Sequence, residues 1–131
     1  MEENKVHLWI GSVNISQEEY LKYFKLDYST EGDFDDPNYK VCGFCTDIGK
    51  KWFDHDFIGI IPLFEKEIEL DEILEEAAID EYEWDNVKEV CKSLGIKKAN
   101  AILWYQDSSL EIKEPKESYN GLKYIGLFEG D

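Results

Sequence analysis

The chain opens with an alternating run, Val6-His7-Leu8-Trp9-Ile10, that stops at Gly11. Alternation at period two predicts a strand with Val6, Leu8 and Ile10 on one face and His7 and Trp9 on the other. Ser16 stands three residues before Glu19, a capping-box spacing, so a short helix is expected from there through Phe24, with Tyr20, Leu21 and Phe24 sharing a face. Residues 29–38 are rich in Gly, Asp, Pro and Asn and read as a loop. A helix is expected over 39–48, with Gly49 as its stop. After a connector at 52–56, residues 57–63 read as a second strand, and Pro62 marks an edge or a strand end. Residues 70–78 predict a helix that buries Leu70, Ile73, Leu74 and Ala77. Residues 84–94 predict another, with Trp84, Val87, Val90, Cys91 and Leu94 at helical spacing and Gly95 as its stop. The nearly continuous apolar run at 99–105 predicts a central strand. A polar connection at 106–120 leads to a fourth strand at 121–128. This order predicts an α+β fold: an approximately four-stranded mixed or antiparallel sheet with helices packed on it. A length of 131 residues is the size of one domain, expected here over 1–131.

Composition sharpens the picture. Hydrophobic residues make up 43% and aromatics 15% of the chain, enough for a packed core in spite of its charge. That charge is −16, from 30 acidic residues against 14 basic ones, and every basic residue is lysine. A net-negative chain without arginine repels nucleic acid and anionic membranes and lacks the side chain best suited to phosphate recognition. A cationic partner is favoured instead, and its approach would be electrostatically steered. No apolar segment reaches the ~18 residues needed to cross a bilayer. The N-terminal stretch leads straight into a strand pattern and does not read as a signal peptide. Three cysteines, Cys42, Cys45 and Cys91, fit a reducing cytoplasm better than a disulfide framework.

Several constellations could carry chemistry. Cys42-Gly43-Phe44-Cys45 is a lone C-x-x-C; a redox role requires it at a helix start just after a strand, whereas a loop with Pro37 precedes it, and a zinc site requires two further ligands, for which His7, His55 and Cys91 lack the spacing, so neither role is expected. Read as two small residues along one side of the 39–48 helix, the pair is expected to hold no metal and to be dispensable for partner binding. Asp54-His55-Asp56 could orient an imidazole, but neighbours in sequence point apart and no nucleophile accompanies them. Asp33, Asp35 and Asp36 lack the remainder of a calcium loop. No cofactor is expected. The segment 65–85 differs in kind: it holds 11 acids in 21 positions, opposed only by Lys66, interleaved with Leu70, Ile73, Leu74, Tyr82 and Trp84. Such crowding does nothing for stability, since like charges at i and i+4 repel by a few tenths of a kcal/mol. A docking face is therefore preferred over a merely solvated helix face, with Asp71, Glu72, Glu75, Glu76, Asp80, Glu81 and Glu83 as the partner-binding candidates.

Taken in order, Val6-His7-Leu8-Trp9-Ile10-Gly11, the 16–24 helix, Phe44-Cys45-Thr46-Asp47-Ile48-Gly49, Trp52-Phe53-Asp54-His55-Asp56-Phe57 and Leu122-Lys123-Tyr124-Ile125-Gly126-Leu127-Phe128 resemble the immunity protein 22 family of bacterial polymorphic toxin systems. The resemblance spans nearly the whole chain and rests on order and spacing, each short motif being unspecific alone. It implies an α+β cytoplasmic protein that binds and silences a cognate toxin, without fixing which toxin. Trp9 and Gly11 match the family's W-x-G, though a tryptophan facing a sheet is more often core than contact. The C-x-x-C is not part of the pattern. The expected function is thus neutralisation of a basic, nuclease-type toxin by occlusion of its active site. Two alternatives stand beside it: a small hydrolase-type enzyme centred on Asp54, His55 and Asp56, and a general acidic adaptor or nucleic-acid mimic. A concave pocket gathering that triplet would favour the enzyme; a toxin gene beside this one would favour the inhibitor.

Overall fold

Along the chain the elements are β1 (Lys5–Gly11), α1 (Gln17–Lys22), α2 (Gly43–Ile48), β2 (Ile58–Ile60), β3 (Ile68–Glu69), α3 (Leu70–Leu74), a 3-10 turn (Glu81–Glu83), α4 (Trp84–Ser93), β4 (Lys98–Ala99), β5 (Ala101–Tyr105) and β6 (Leu122–Glu129). They come from a computed structural model that describes residues 5–25, 42–50, 53, 57–61, 63–77, 79–107, 110, 112 and 118–130. The main sheet has four strands in the order β2-β5-β1-β6, each neighbouring pair antiparallel. These are the four strands the alternation predicts. β5, the apolar run, is an inner strand, and short β2 forms one edge.

The alternation of β1 divides the interior in two. Val6, Leu8 and Ile10 join Leu70, Ile73 and Leu74 of α3, Val87 and Cys91 of α4, and Ile102, Ile125 and Phe128 of the sheet. On the opposite face Trp9 joins Tyr20, Phe24, Phe44, Cys45, Ile48, Phe53 and Tyr105. Helices thus cover both faces of the sheet, and residues 6–11 are all buried. Burying a Leu8 or an Ile10 completely is worth about 1.5–3 kcal/mol each relative to leaving it in water. Trp9 is core, as its strand position suggests: its ring meets Phe44 edge-on at 5.3 Å and Tyr119 at 5.8 Å.

Two irregularities keep this arrangement consistent. Leu8 pairs with Gly126 but Trp9 with Tyr124, so Ile125 is an extra residue bulged out of the β1–β6 ladder. The bulge switches the phase of β6. Leu122 and Tyr124 face the aromatic side, while Ile125 and Phe128 face the α3–α4 side. The second irregularity is Asn100, where the single strand expected over 99–105 breaks. Ala99 belongs to a separate two-stranded pair with β3, and Ala101 opens β5. Asn100 Oδ1 accepts from Val13 N–H (2.8 Å) and its Nδ2 donates to the Val13 carbonyl (2.9 Å). Its own N–H donates to Gly11 O and its carbonyl accepts from Phe64 N.

Helix ends follow local signals. Ser16 caps α1 by accepting from Glu19 N (3.1 Å). Gly49 (φ 75°) ends α2, and Gly95 (φ 80°) follows α4, in the left-handed conformation that glycine tolerates. Several expectations are corrected. Leu21 is 43% exposed and does not join Tyr20 and Phe24: it lies a helical step of about 100° from Tyr20, while Phe24 is buried from beyond the end of α1 at Lys22. α3 ends at Leu74, and the chain turns to bury Ala77 and Ile79. Leu94 lies past the end of α4 and is 40% exposed. The helix expected over 39–48 begins at Gly43, with Cys42 as its N-cap, and positions 39–41 fall outside the described residues.

Among the described residues His7 is the buried polar side chain of the core, 2% exposed. Its Nε2 lies 3.1 Å from the Leu110 carbonyl and its Nδ1 2.7 Å from the Tyr124 hydroxyl. A carbonyl only accepts, so Nε2 carries the proton and Nδ1 accepts from Tyr124, the arrangement of a neutral imidazole. The bond to Leu110 holds that residue against the sheet. Burial pulls the His7 pKa below its ordinary value, against smaller opposing contributions from the Leu110 carbonyl and from Asp107. The unfolded chain therefore takes up this proton more readily than the fold does. Above pH ~6.5 the group leaves stability unchanged; as pH falls below that, stability declines until the folded pKa is passed. Urea unfolding of the wild type and of His7→Gln between about pH 7 and 5 should show a steeper decline in the wild type. Parallel curves would remove His7 as the cause.

Candidate functional site

The acidic segment is held on the outside by what α3 buries. Leu70, Ile73 and Leu74 point into the core, which leaves Asp71, Glu72, Glu75 and Glu76 on the exposed side. Ile79 is buried next, and the chain turns through Asp80 into the 3-10 turn, where Glu81 and Tyr82 are exposed. Tyr82 keeps 66% of its surface in solvent, the most exposed of the large apolar side chains described.

The seven candidate carboxylates are not equivalent. Glu83 accepts from the backbone N–H of Glu129 (2.9 Å) with Oε2 and from Asn86 Nδ2 (2.8 Å) with Oε1. Together with the bond from Asp80 N to Glu129 O, it fastens the 80–83 segment along the outer edge of β6. Asp80 caps the turn, Oδ1 accepting from Tyr82 N (3.2 Å). Asp71 pairs with Lys88 of α4 at 2.8 Å, and the same ammonium lies 3.8 Å from Asp85. Glu72, Glu75, Glu76 and Glu81 have no hydrogen-bond or ion-pair partner among the described residues. Three of the seven are thus engaged within the fold, Asp71 only through an exposed ion pair, and four present uncompensated charge. Sequence spacing gave no sign of this division except at Asp80, which stands where an N-cap belongs.

The other constellations fare differently. Asp54, His55 and Asp56 lie outside the described residues, as do Asp33, Asp35 and Asp36. No group of three His, Cys, Asp or Glu side chains suited to a metal occurs among the described residues. A shallow depression of about 550 Å³ is lined by Gly11, Ser12, Glu67, Lys97, Lys98 and Lys123, and Ser12 donates to Glu67 (2.8 Å). It offers a hydroxyl and lysines but no imidazole. Cys42 and Cys45 do not sit side by side within a helix. Cys42 caps α2, its Sγ accepting from Cys45 N (3.3 Å), and the two sulfurs are 2.9 Å apart. No helix among the described residues is long and apolar enough to cross a membrane.

Compared with known proteins, the sequence matches the family described as immunity protein 22 over residues 6–130. No curated protein and no solved structure matches it.

The division among the acids is measurable. Glu83→Ala removes a carboxylate that satisfies two donors, and should lower the unfolding free energy by about 1.5–3 kcal/mol. Glu72→Ala, Glu75→Ala and Glu76→Ala should each stay within about 0.5 kcal/mol of the wild type. Chemical denaturation of the four variants provides the check. Equal losses would mean that Glu83 contributes no more than its charge.

Proposed function

Because the chain belongs to the immunity protein 22 family, we propose that it binds a cognate bacterial toxin and neutralises it in the cytoplasm by stoichiometric occlusion, without catalysis of its own. The match over residues 6–130 carries this proposal. The toxin is a basic, nuclease-type protein, and the surface that meets it is the 65–85 segment. Support for the surface comes from charge left uncompensated. Glu72, Glu75, Glu76 and Glu81 are exposed on an ordered scaffold that fixes them at the surface. Tyr82 stands among them as an exposed aromatic, the side-chain type most often found at the energetic centre of an interface. Lysines and arginines that a nuclease uses to hold phosphate would find carboxylates in the phosphates' place. Asp71, Asp80 and Glu83 act in this scheme chiefly by holding the surface in shape.

Binding should be steered by charge and therefore sensitive to salt. The association rate with the toxin encoded beside this gene should fall steeply as the Debye length shrinks from about 10 Å at 0.1 M salt to about 3 Å at 1 M. Position should matter beyond net charge. The triple reversal Glu72→Lys, Glu75→Lys and Glu76→Lys should weaken binding at least about tenfold more than Glu18→Lys, Glu19→Lys and Glu89→Lys, a difference of about 1.4 kcal/mol. Both sets change the net charge equally and lie at exposed positions. Kinetic titration against the toxin decides. Equal weakening would reduce the effect to bulk charge, and no weakening from the first set would move the interface elsewhere.

A further inference from the structure

The two thiols at the start of α2 form a unit that the proposed inhibition does not use. Cys42 and Cys45 are both free, with their sulfurs 2.9 Å apart. The geometry is fixed from several directions. Cys45 N–H donates to Cys42 Sγ, and the Cys42 carbonyl accepts from both the N–H and the hydroxyl of Thr46. Phe44, between the two cysteines, is fully buried, and its N–H donates to the Tyr23 carbonyl. The sulfurs therefore face each other without a rearrangement of the backbone. They also differ in access: Cys42 keeps 6% of its surface in contact with solvent and Cys45 none.

We propose that Cys42 and Cys45 are an oxidation site, a vicinal dithiol that a hydroperoxide converts reversibly to an intramolecular disulfide, with Cys42 attacking and Cys45 resolving. In the first step the Cys42 thiolate attacks one oxygen of hydrogen peroxide. An S–O bond forms, the O–O bond breaks, and hydroxide leaves, so that Cys42 becomes a sulfenic acid and the peroxide is reduced. In the second, Cys45 gives up its proton and its sulfur attacks Cys42 Sγ. The S–S bond forms, the S–O bond breaks, and the departing hydroxide takes a proton and leaves as water. The pair has lost two hydrogens and one peroxide has become two waters. An added dithiol reverses the change by thiol–disulfide exchange.

The division of labour follows from the surroundings. The hydrogen bond shared with Cys45 holds the Cys42 thiol below its ordinary pKa, and that same bond, with burial, pushes the Cys45 thiol up. The sulfur nearer solvent is thus also the better nucleophile, and the protonated thiol waits behind it. Cys91 is an internal control. It is fully buried in the opposite core cluster, where burial raises its pKa to about 11.

The test is exposure of the purified full chain to hydrogen peroxide, followed by alkylation under denaturing conditions and intact mass. Of the three thiols, two should be lost to alkylation with the removal of two hydrogens, Cys91 should remain alkylated, and dithiothreitol should restore all three. In Cys45→Ser, Cys42 should instead be trapped by dimedone as a sulfenic acid. In Cys42→Ser, peroxide should leave Cys45 alkylatable. Retention of all three alkylatable thiols in the wild type, loss of Cys91 as fast as Cys42, or addition of oxygen without a disulfide would each overturn the proposal. The wild-type measurement stands even if a variant fails to fold.

Discussion

A strand that lies between two others and is covered on both faces has no outlet for a polar side chain except an internal partner. β1 is under that constraint along nearly its whole length. Its apolar residues supply the middle of both core clusters, and its buried polar side chain, His7, is accommodated by a carbonyl and a hydroxyl brought from far along the sequence. Much of the rest answers to this strand. α3 and α4 cover one face, and α1 and α2 the other. The bulge at Ile125 lets β6 serve both clusters, and the turn at Asn100 lets β5 pair with β1 while Ala99 pairs elsewhere.

The outer charge is a by-product of the same packing. α3 buries three of its five residues, so the acids beside them are forced outward. The chain then uses some of those acids as structural parts. Glu83 and Asp80 seal the C-terminal end of β6, which would otherwise present bare backbone groups to solvent at the sheet's edge. The bulge in β6 further discourages a foreign strand from pairing there. An acid-rich surface can therefore be read only after the carboxylates engaged in structure have been subtracted from it.

What was legible in the sequence was local. The alternation in β1, the cap at Ser16, the glycine stops at 49 and 95, and the four strands of the main sheet all follow from spacing within a few residues. What was illegible depends on partners far along the chain. Asn100 looks like a polar interruption of an apolar run until Val13, 87 residues away, is seen to take both ends of its side chain. Glu83 looks like one acid among many until Glu129, 46 residues away, is found to donate to it. The β3–β4 pair involves two residues a side, too few for any periodicity. The family resemblance reached further because order along the whole chain constrains more than any one spacing, and the match over residues 6–130 bears it out. The Asp54–Asp56 triplet lies outside the described residues, so the structure adds nothing to the spacing argument against it.

The placement of β1 has a consequence for how the chain comes to be folded at all. Its two neighbours in the sheet are β5 and β6, which begin at Ala101 and Leu122. His7 and its partner Tyr124 are 117 positions apart. A ribosome that adds roughly 5–20 residues per second therefore releases this doubly covered strand several seconds before either neighbour exists. The main sheet can close only late, and a topology so dominated by distant pairings belongs among the slower folders. Throughout that interval β1 is an unpaired, aggregation-prone segment. The acids at 65–85 emerge within that interval, well ahead of β6, and like charge at such density favours solubility. The order of the elements along the chain thus sets a delay between making β1 and pairing it, and the acidic segment falls within that delay.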